Sequence, residues 1–254
     1  VRALALTLLF TPLVTLANDP TPGVSASQSL SWLKNGNTRY THHKLRADGQ
    51  SKEDVTRLST GQKPHAIVLS CSDSRVPPEI LFDQKLGEIF VVRTAGEALG
   101  DNAIGSIEYA VEHLGSKLIV VMGHTSCGAV KAAHGSLDGS SVGTPALDNL
   151  VKDIHPRISS FKGKSPSANF EQESWANTEG VAQDLGKRSK LLAEKLKKGE
   201  VTIVPSLYNL ETGIVTFREG PTTLPTRAVA NSNDKKFNPI TAAKPAKPES
   251  HDHH

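Results

Sequence analysis

His65-Ala66-Ile67-Val68-Leu69-Ser70-Cys71-Ser72-Asp73-Ser74-Arg75 is the stretch that decides the fold of this chain. Residues 65–70 form a short apolar run after Pro64, with no polar alternation, and read as a strand buried on both faces. The run stops abruptly at a thiol, an acid and a guanidinium on a polar turn. Strands of that kind belong to parallel sheets, whose ligands gather beyond the carboxyl ends of the strands.

Working outward, Ile89–Val92 and Lys117–Met122 repeat the pattern, and Val201–Val204 makes a fourth strand. Between the second and third, Ala103, Ile104, Ile107, Ala110, Val111 and Leu114 recur at helical spacing over 102–114 and stop at Gly115. A helix is expected from about Gly128, and a charged one from about Val181 to Lys198. Upstream, Leu30, Leu33 and Tyr40 share one face of a helix over 29–44, and a second helical piece covers Asp54–Leu58. A closing hairpin over Leu207–Phe217 turns at Glu211-Thr212-Gly213. Alternating strands and helices give an α/β fold: a mostly parallel central sheet flanked by helices, with an N-terminal helical arm.

The 254 residues, 37% hydrophobic and 22% charged, suit a globular chain of one large or two small domains. A net charge of +3 and an aromatic content of 5% give no reason to invoke nucleic acid or an anionic membrane as partner. Arg2, the apolar run 3–16 and a small-residue exit at Ala17 read as a signal peptide over 1–17. A membrane anchor is the alternative. The run is shorter than the roughly 20 apolar residues of a spanning helix, and Pro12 interrupts it. The expectation is therefore export, periplasmic or secreted, with no membrane attachment after cleavage. Residues 18–28 read as a linker, 29–220 as the folded domain, and 221–254, without periodicity, as a disordered tail.

The chain has only two cysteines, Cys71 and Cys127, the second in His124-Thr125-Ser126-Cys127. In an exported protein two cysteines suggest a disulfide. Here each sits among other polar chemistry, and with His124 they offer two thiolates and an imidazole, a set suited to one zinc ion. Three protein ligands leave the fourth tetrahedral position to water, which zinc makes acidic enough to ionise near neutral pH. Two thiolates weaken that effect, so something must hold and orient the resulting hydroxide. Asp73 can accept its hydrogen bond, and Arg75 can pair with Asp73 and keep it ionised. Alone, Asp73 and Arg75 would read as an ordinary surface ion pair. Gln62 could donate to a substrate oxygen, and Phe90 and Tyr109 could line an apolar pocket. Each also reads as a turn or core residue. His42, His43, His65, His113, His134 and His155 read as surface or core.

These motifs closely resemble the β-class carbonic anhydrases over about residues 30–218. Cys71-Ser72-Asp73-Ser74-Arg75-Val76-Pro77 and Gly123-His124-Thr125-Ser126-Cys127-Gly128-Ala129 are similar to the family's two signatures. Gly87–Arg93 and Ser106–Ala110 are also family-like. The resemblance implies one zinc per subunit on Cys71, His124 and Cys127, an Asp73–Arg75 dyad, and reversible hydration of carbon dioxide to bicarbonate and a proton. It implies Gln62 at the substrate and Phe90 and Tyr109 as its apolar wall. It also implies a homodimer or homotetramer, with the site near the subunit interface and N-terminal helices wrapping the partner.

Two positions depart from the family pattern. Members with a regulatory bicarbonate site carry Trp where this chain has Val68, so an open site, with water rather than Asp73 on the metal, is expected here. Thr94 replaces the usual Asn after Arg93. Rival readings are hydrolysis of a related small molecule such as carbon disulfide, a redox dithiol with a Cys71–Cys127 disulfide, and a closed, non-catalytic zinc site with Asp73 as fourth ligand.

Overall fold

The computed structural model describes residues 23–218. The expected signal segment 1–17 and tail 221–254 lie outside the described residues. The chain runs α1 (Ala26–Thr41), α2 (Lys52–Leu58), β1 (Ala66–Cys71), α3 (Pro78–Leu81), β2 (Ile89–Thr94), α4 (Asp101–Glu112) and β3 (Leu118–His124). It continues through α5 (Gly128–Gly135), α6 (Pro145–Ile158), α7 (Glu171–Arg188), α8 (Lys190–Lys197), β4 (Thr202–Tyr208) and β5 (Val215–Phe217).

The five strands lie in the order β2-β1-β3-β4-β5. All neighbours are parallel except the β4–β5 pair. This is the expected α/β architecture. Residues along a strand point alternately to opposite faces, and β1 and β3 use that alternation to serve two cores. Val68, Val120 and Met122 face one side, with Leu30 and Leu33 of α1 and Phe82. Ile67, Leu69, Ile119 and Val121 face the other, with Ile104 and Ile107 of α4, Val181 and Leu185 of α7 and Leu192 of α8. Every residue of β1 and β3 is buried, which explains their unbroken apolar sequence. A smaller cluster of Ala133, Val151, Ile154 and Ile158 joins α5 to α6.

Several elements differ from expectation. α1 starts at Ala26, inside the expected linker, because Ser25 caps it by accepting from Gln28 N–H. It packs on its own sheet: Asn37 donates to Leu81 O and Gly213 O, and accepts from Val215 N–H. The helix α6 was not anticipated, although Thr144 caps it, Pro145 starts it, and Val151, Ile154 and Ile158 form its apolar stripe. The expected single helix over 181–198 is two. It begins ten residues earlier, at Glu171, and breaks at Ser189, whose hydroxyl caps α8 by accepting from Leu192 N–H. β4 continues through Pro205, a residue that argues for a stop because it has no N–H for the ladder. Its carbonyl still accepts from Arg218 N–H, and pairing with β5 begins at Ser206.

Candidate metal centre

The chain leaves β1 in both directions, with β2 on one side and β3 on the other. Such a switch opens a crevice beyond the carboxyl ends of the two central strands. Cys71 is the last residue of β1 and His124 the last of β3, so adjacency of those strands brings the two side chains together. Cys127 follows after a tight turn in which Ser126 has φ 55°, a left-handed conformation uncommon for a residue with a Cβ. That turn is pinned on both sides: Thr125 N–H donates to Tyr208 O, and Ser126 N–H to Asn169 O. Cys127 then occupies the N-cap position of α5, where the helix N-terminus favours a thiolate.

The ligand atoms of Cys71, His124 and Cys127 all lie within 4.8 Å of one another, and all three residues are buried. The sulfurs are 4.0 Å apart, far beyond a disulfide bond, and both cysteines are free. The sulfur–sulfur contact holds the Cys71 thiol down to about 4 against its burial. The same contact, together with burial, pushes Cys127 up. Each thiolate thus opposes the other, and a cation between the sulfurs is what would let both ionise. His124 Nδ1 lies 2.9 Å from Thr125 O, a group that only accepts, so Nδ1 carries the proton. Nε2 is left as a lone-pair donor, buried and without a hydrogen-bond partner among the described residues. Two thiolates and an orphaned imidazole nitrogen are a fitting donor set for zinc.

Asp73 stands over this cluster, with Oδ2 3.9 Å from His124 Nε2. Arg75 grips it by three donors: its backbone N–H and Nε to Oδ1, both at 2.9 Å, and Nη2 to Oδ2 at 2.7 Å. That grip holds the Asp73 carboxyl far below the usual carboxylate range, more than offsetting its partial burial. Arg93 secures the turn from below, donating Nε to Cys71 O and Nη2 to Asp73 O. The sequence reading noted Arg93 only within a motif. A cation at the carboxyl end of an otherwise apolar strand was the signal that marked it. Thr94 donates to Ala98 O and closes the next turn, which is what its hydroxyl does in this chain.

Gln62, Phe90 and Tyr109 stand elsewhere. Gln62 is exposed on the loop before β1, at the amino edge of the sheet. Phe90 pairs with Ile67, four residues before the β2 position that pairs with Cys71, or about 13 Å along the strand. Its ring lies 6.4 Å from that of Tyr109, which is 50% exposed. Within one chain these three residues do not join the cluster. A residue absent from the sequence reading does approach it. Glu97 is buried, and burial pushes its carboxyl well above the usual range, with Cys71 adding to the effect.

Comparison with known proteins agrees with this geometry. Residues 66–215 match the family model described as carbonic anhydrase. A carbonic anhydrase of Mycolicibacterium smegmatis is 42% identical over 186 residues, covering 73% of this chain and 90% of that protein. The β-carbonic anhydrase of Coccomyxa, solved with acetazolamide, matches with a TM-score of 0.56 and 26% identity, covering 74% of this chain and 85% of its own. A tetrameric β-carbonic anhydrase of Sordaria macrospora shares the fold with a TM-score of 0.57 at 21% identity, over 74% of this chain and 96% of its own. The family match runs through both cysteine motifs and the strands that carry them, and with these relatives it shows that this chain belongs to the carbonic anhydrase family, with the β-class fold.

Proposed function

We propose that this chain catalyses the reversible hydration of carbon dioxide to bicarbonate and a proton, with one zinc ion held by Cys71, His124 and Cys127. The observation that carries the reading is the convergence of those three buried donors beneath a carboxylate already fixed by an arginine. When bound, zinc supplies the Lewis acidity that makes a water nucleophilic near neutral pH.

The remaining work falls to the chain itself. Asp73, ionised through Arg75, accepts a hydrogen bond from the attacking water and so aims its lone pair at the substrate carbon. Because both Asp73 oxygens are engaged by Arg75, the carboxylate is held back from the ligand cluster, in keeping with an open site and with Val68 at the regulatory position. Arg93 fixes the backbone of the Cys71–Asp73 turn, so ligand and carboxylate move as one unit. Gln62, Phe90 and Tyr109 take their substrate role if a second copy lays its sheet edge against this site. β2 is the open edge of the sheet and is only half-buried, which supports such an assembly. Export of the protein, from the apolar run 3–16, belongs to the same proposal.

Stopped-flow carbon dioxide hydration by the zinc-loaded protein across pH is the test. Turnover already fast near neutral pH is the expected result. Activity confined to alkaline pH would mean that Asp73 occupies the metal. No turnover at any pH, with zinc bound, would overturn the assignment.

A further inference from the structure

The turn after β2 presses a backbone N–H against one of the sulfurs: Gly96 N lies 3.3 Å from Cys71 Sγ. Gly96 has φ 60°, and a Cβ there would come within 2.8 Å of Ile154 and 2.9 Å of Ala129. Glycine is therefore required both by conformation and by space. The carbonyl of the same residue is held from the far side of the molecule, where Asn177 Nδ2 on α7 donates to Gly96 O at 2.8 Å and approaches Glu97 Oε2 at 3.3 Å.

The orientation of the Asn177 amide is settled by its other neighbour. Arg157 Nη1, which can only donate, stands 3.4 Å from Asn177 Oδ1. Arg157 is itself locked, with Nε on Asp184 at 2.9 Å and Nη1 on Asp153 at 3.0 Å. Gly180 leaves the space for its stem, since a Cβ there would lie 2.7 Å from Arg157 Cγ. Asp153 also accepts from Leu99 N–H at 2.9 Å, so the same acid ties down the end of the turn.

Resting on the metal-centre reading, we propose that Asn177 is a positioning residue for Cys71: the Arg157–Asn177 pair holds the Gly96 N–H on the sulfur and thereby sets how much charge that thiolate donates to the metal. Two thiolates drain the Lewis acidity of a zinc site. An N–H donor on one of them draws charge off the sulfur and offsets that loss. The turn bearing this N–H contains Glu97 at φ 53°, a left-handed conformation, so it needs an external clamp to persist.

The test uses Asn177→Ala and the size-matched Asn177→Asp, which keeps an acceptor for Arg157 but offers no N–H to Gly96 O. Glu179→Gln serves as control, because its side chain, also on α7, pairs with Arg218 and not with the Gly96 turn. Chelator competition should show zinc affinity reduced about 10- to 100-fold in both Asn177 variants. The cobalt-substituted proteins should show a displaced thiolate-to-metal charge-transfer band, and the control should show neither change. In the cadmium-substituted wild-type protein, the Gly96 amide proton should show coupling to the metal through the sulfur, a readout that needs no variant. Unchanged affinity and spectrum in the folded Asn177 variants, or no Gly96 coupling in the wild type, would overturn the proposal. These readouts are independent of turnover. Metal binding with normal coupling but no carbon dioxide hydration would sink the enzymatic assignment alone. Failure of the wild-type protein to bind metal at Cys71 would sink both.

Discussion

The two ends of the central sheet are built on opposite terms. At the carboxyl end, Cys71, His124 and Cys127 are buried, and Asp73 is gripped by three donors of Arg75. At the amino end, Gln62 is exposed, Tyr109 is half in solvent, and the ring of Phe90 on the open edge strand meets it. The difference teaches that a single chain can bring three donors together at its strand ends while leaving the proposed substrate residues apart from them. A metal site needs three donors at strand ends that the fold already places side by side. A pocket for a small apolar molecule needs walls on several sides, and Tyr109 on this end faces water.

The largest effect should come from breaking the carboxyl end. Cys127→Ala leaves two ligands, and stopped-flow assays should find no carbon dioxide hydration above the uncatalysed rate, with metal analysis showing zinc lost. Asp73→Asn should be gentler, because the metal stays. Turnover should fall about 10- to 100-fold at unchanged zinc content. Zinc loss from Asp73→Asn would instead mean that Asp73 holds the metal.

The amino end is sharpened by a mixing experiment. Gln62→Ala alone should raise KM about tenfold, or roughly 1.4 kcal/mol of binding. If Gln62 acts across a two-fold interface, co-refolding Gln62→Ala with Asp73→Asn should restore about a quarter of wild-type activity, since half of the dimers are mixed and each carries one intact site. Simple averaging of the two weak activities would place Gln62 in its own chain's site or in none.

The smallest effect concerns Glu97. Its folded pKa is raised above the ordinary 4.5 by burial, so the folded chain keeps a proton that the unfolded chain releases. Stability from this group is complete below about 4.5 and is lost as pH rises from there toward the folded pKa. In the metal-free protein, Glu97→Gln should therefore melt a few degrees higher than wild type at pH 8 and show little difference at pH 4. An equal shift at both pH values would mean that Glu97 is ionised in the fold.

Much of this was legible in the chain. The unbroken apolar runs of β1 and β3 read as strands buried on both faces, and their polar exits as the carboxyl edge of a sheet. The signal for α6 is also present, in Thr144-Pro145 and the spacing of Val151, Ile154 and Ile158, but it is weaker than the unbroken runs of the strands. Ser189 was harder to read. A serine within a charged helical stretch looks like one more exposed position until Glu108, from a distant helix, accepts its hydroxyl at 2.5 Å and the chain turns there.

Amino-acid sequence by itself determined the donors: which side chains can bind a soft-to-borderline cation, which acid stands beside them, and which arginine can hold that acid. These are local properties of residue type and spacing, and Asp73 and Arg75 need only a two-residue turn to meet. Tertiary structure alone decided the rest. It set β1 beside β3 so that Cys71 reached His124, and it pinned Ser126 in a left-handed turn so that Cys127 joined them. It also brought Asn177 of α7 to the Gly96 carbonyl, 81 positions away along the chain. Contacts between distant segments leave no period or motif in a single sequence, because either partner alone is an ordinary polar residue until folding supplies the other.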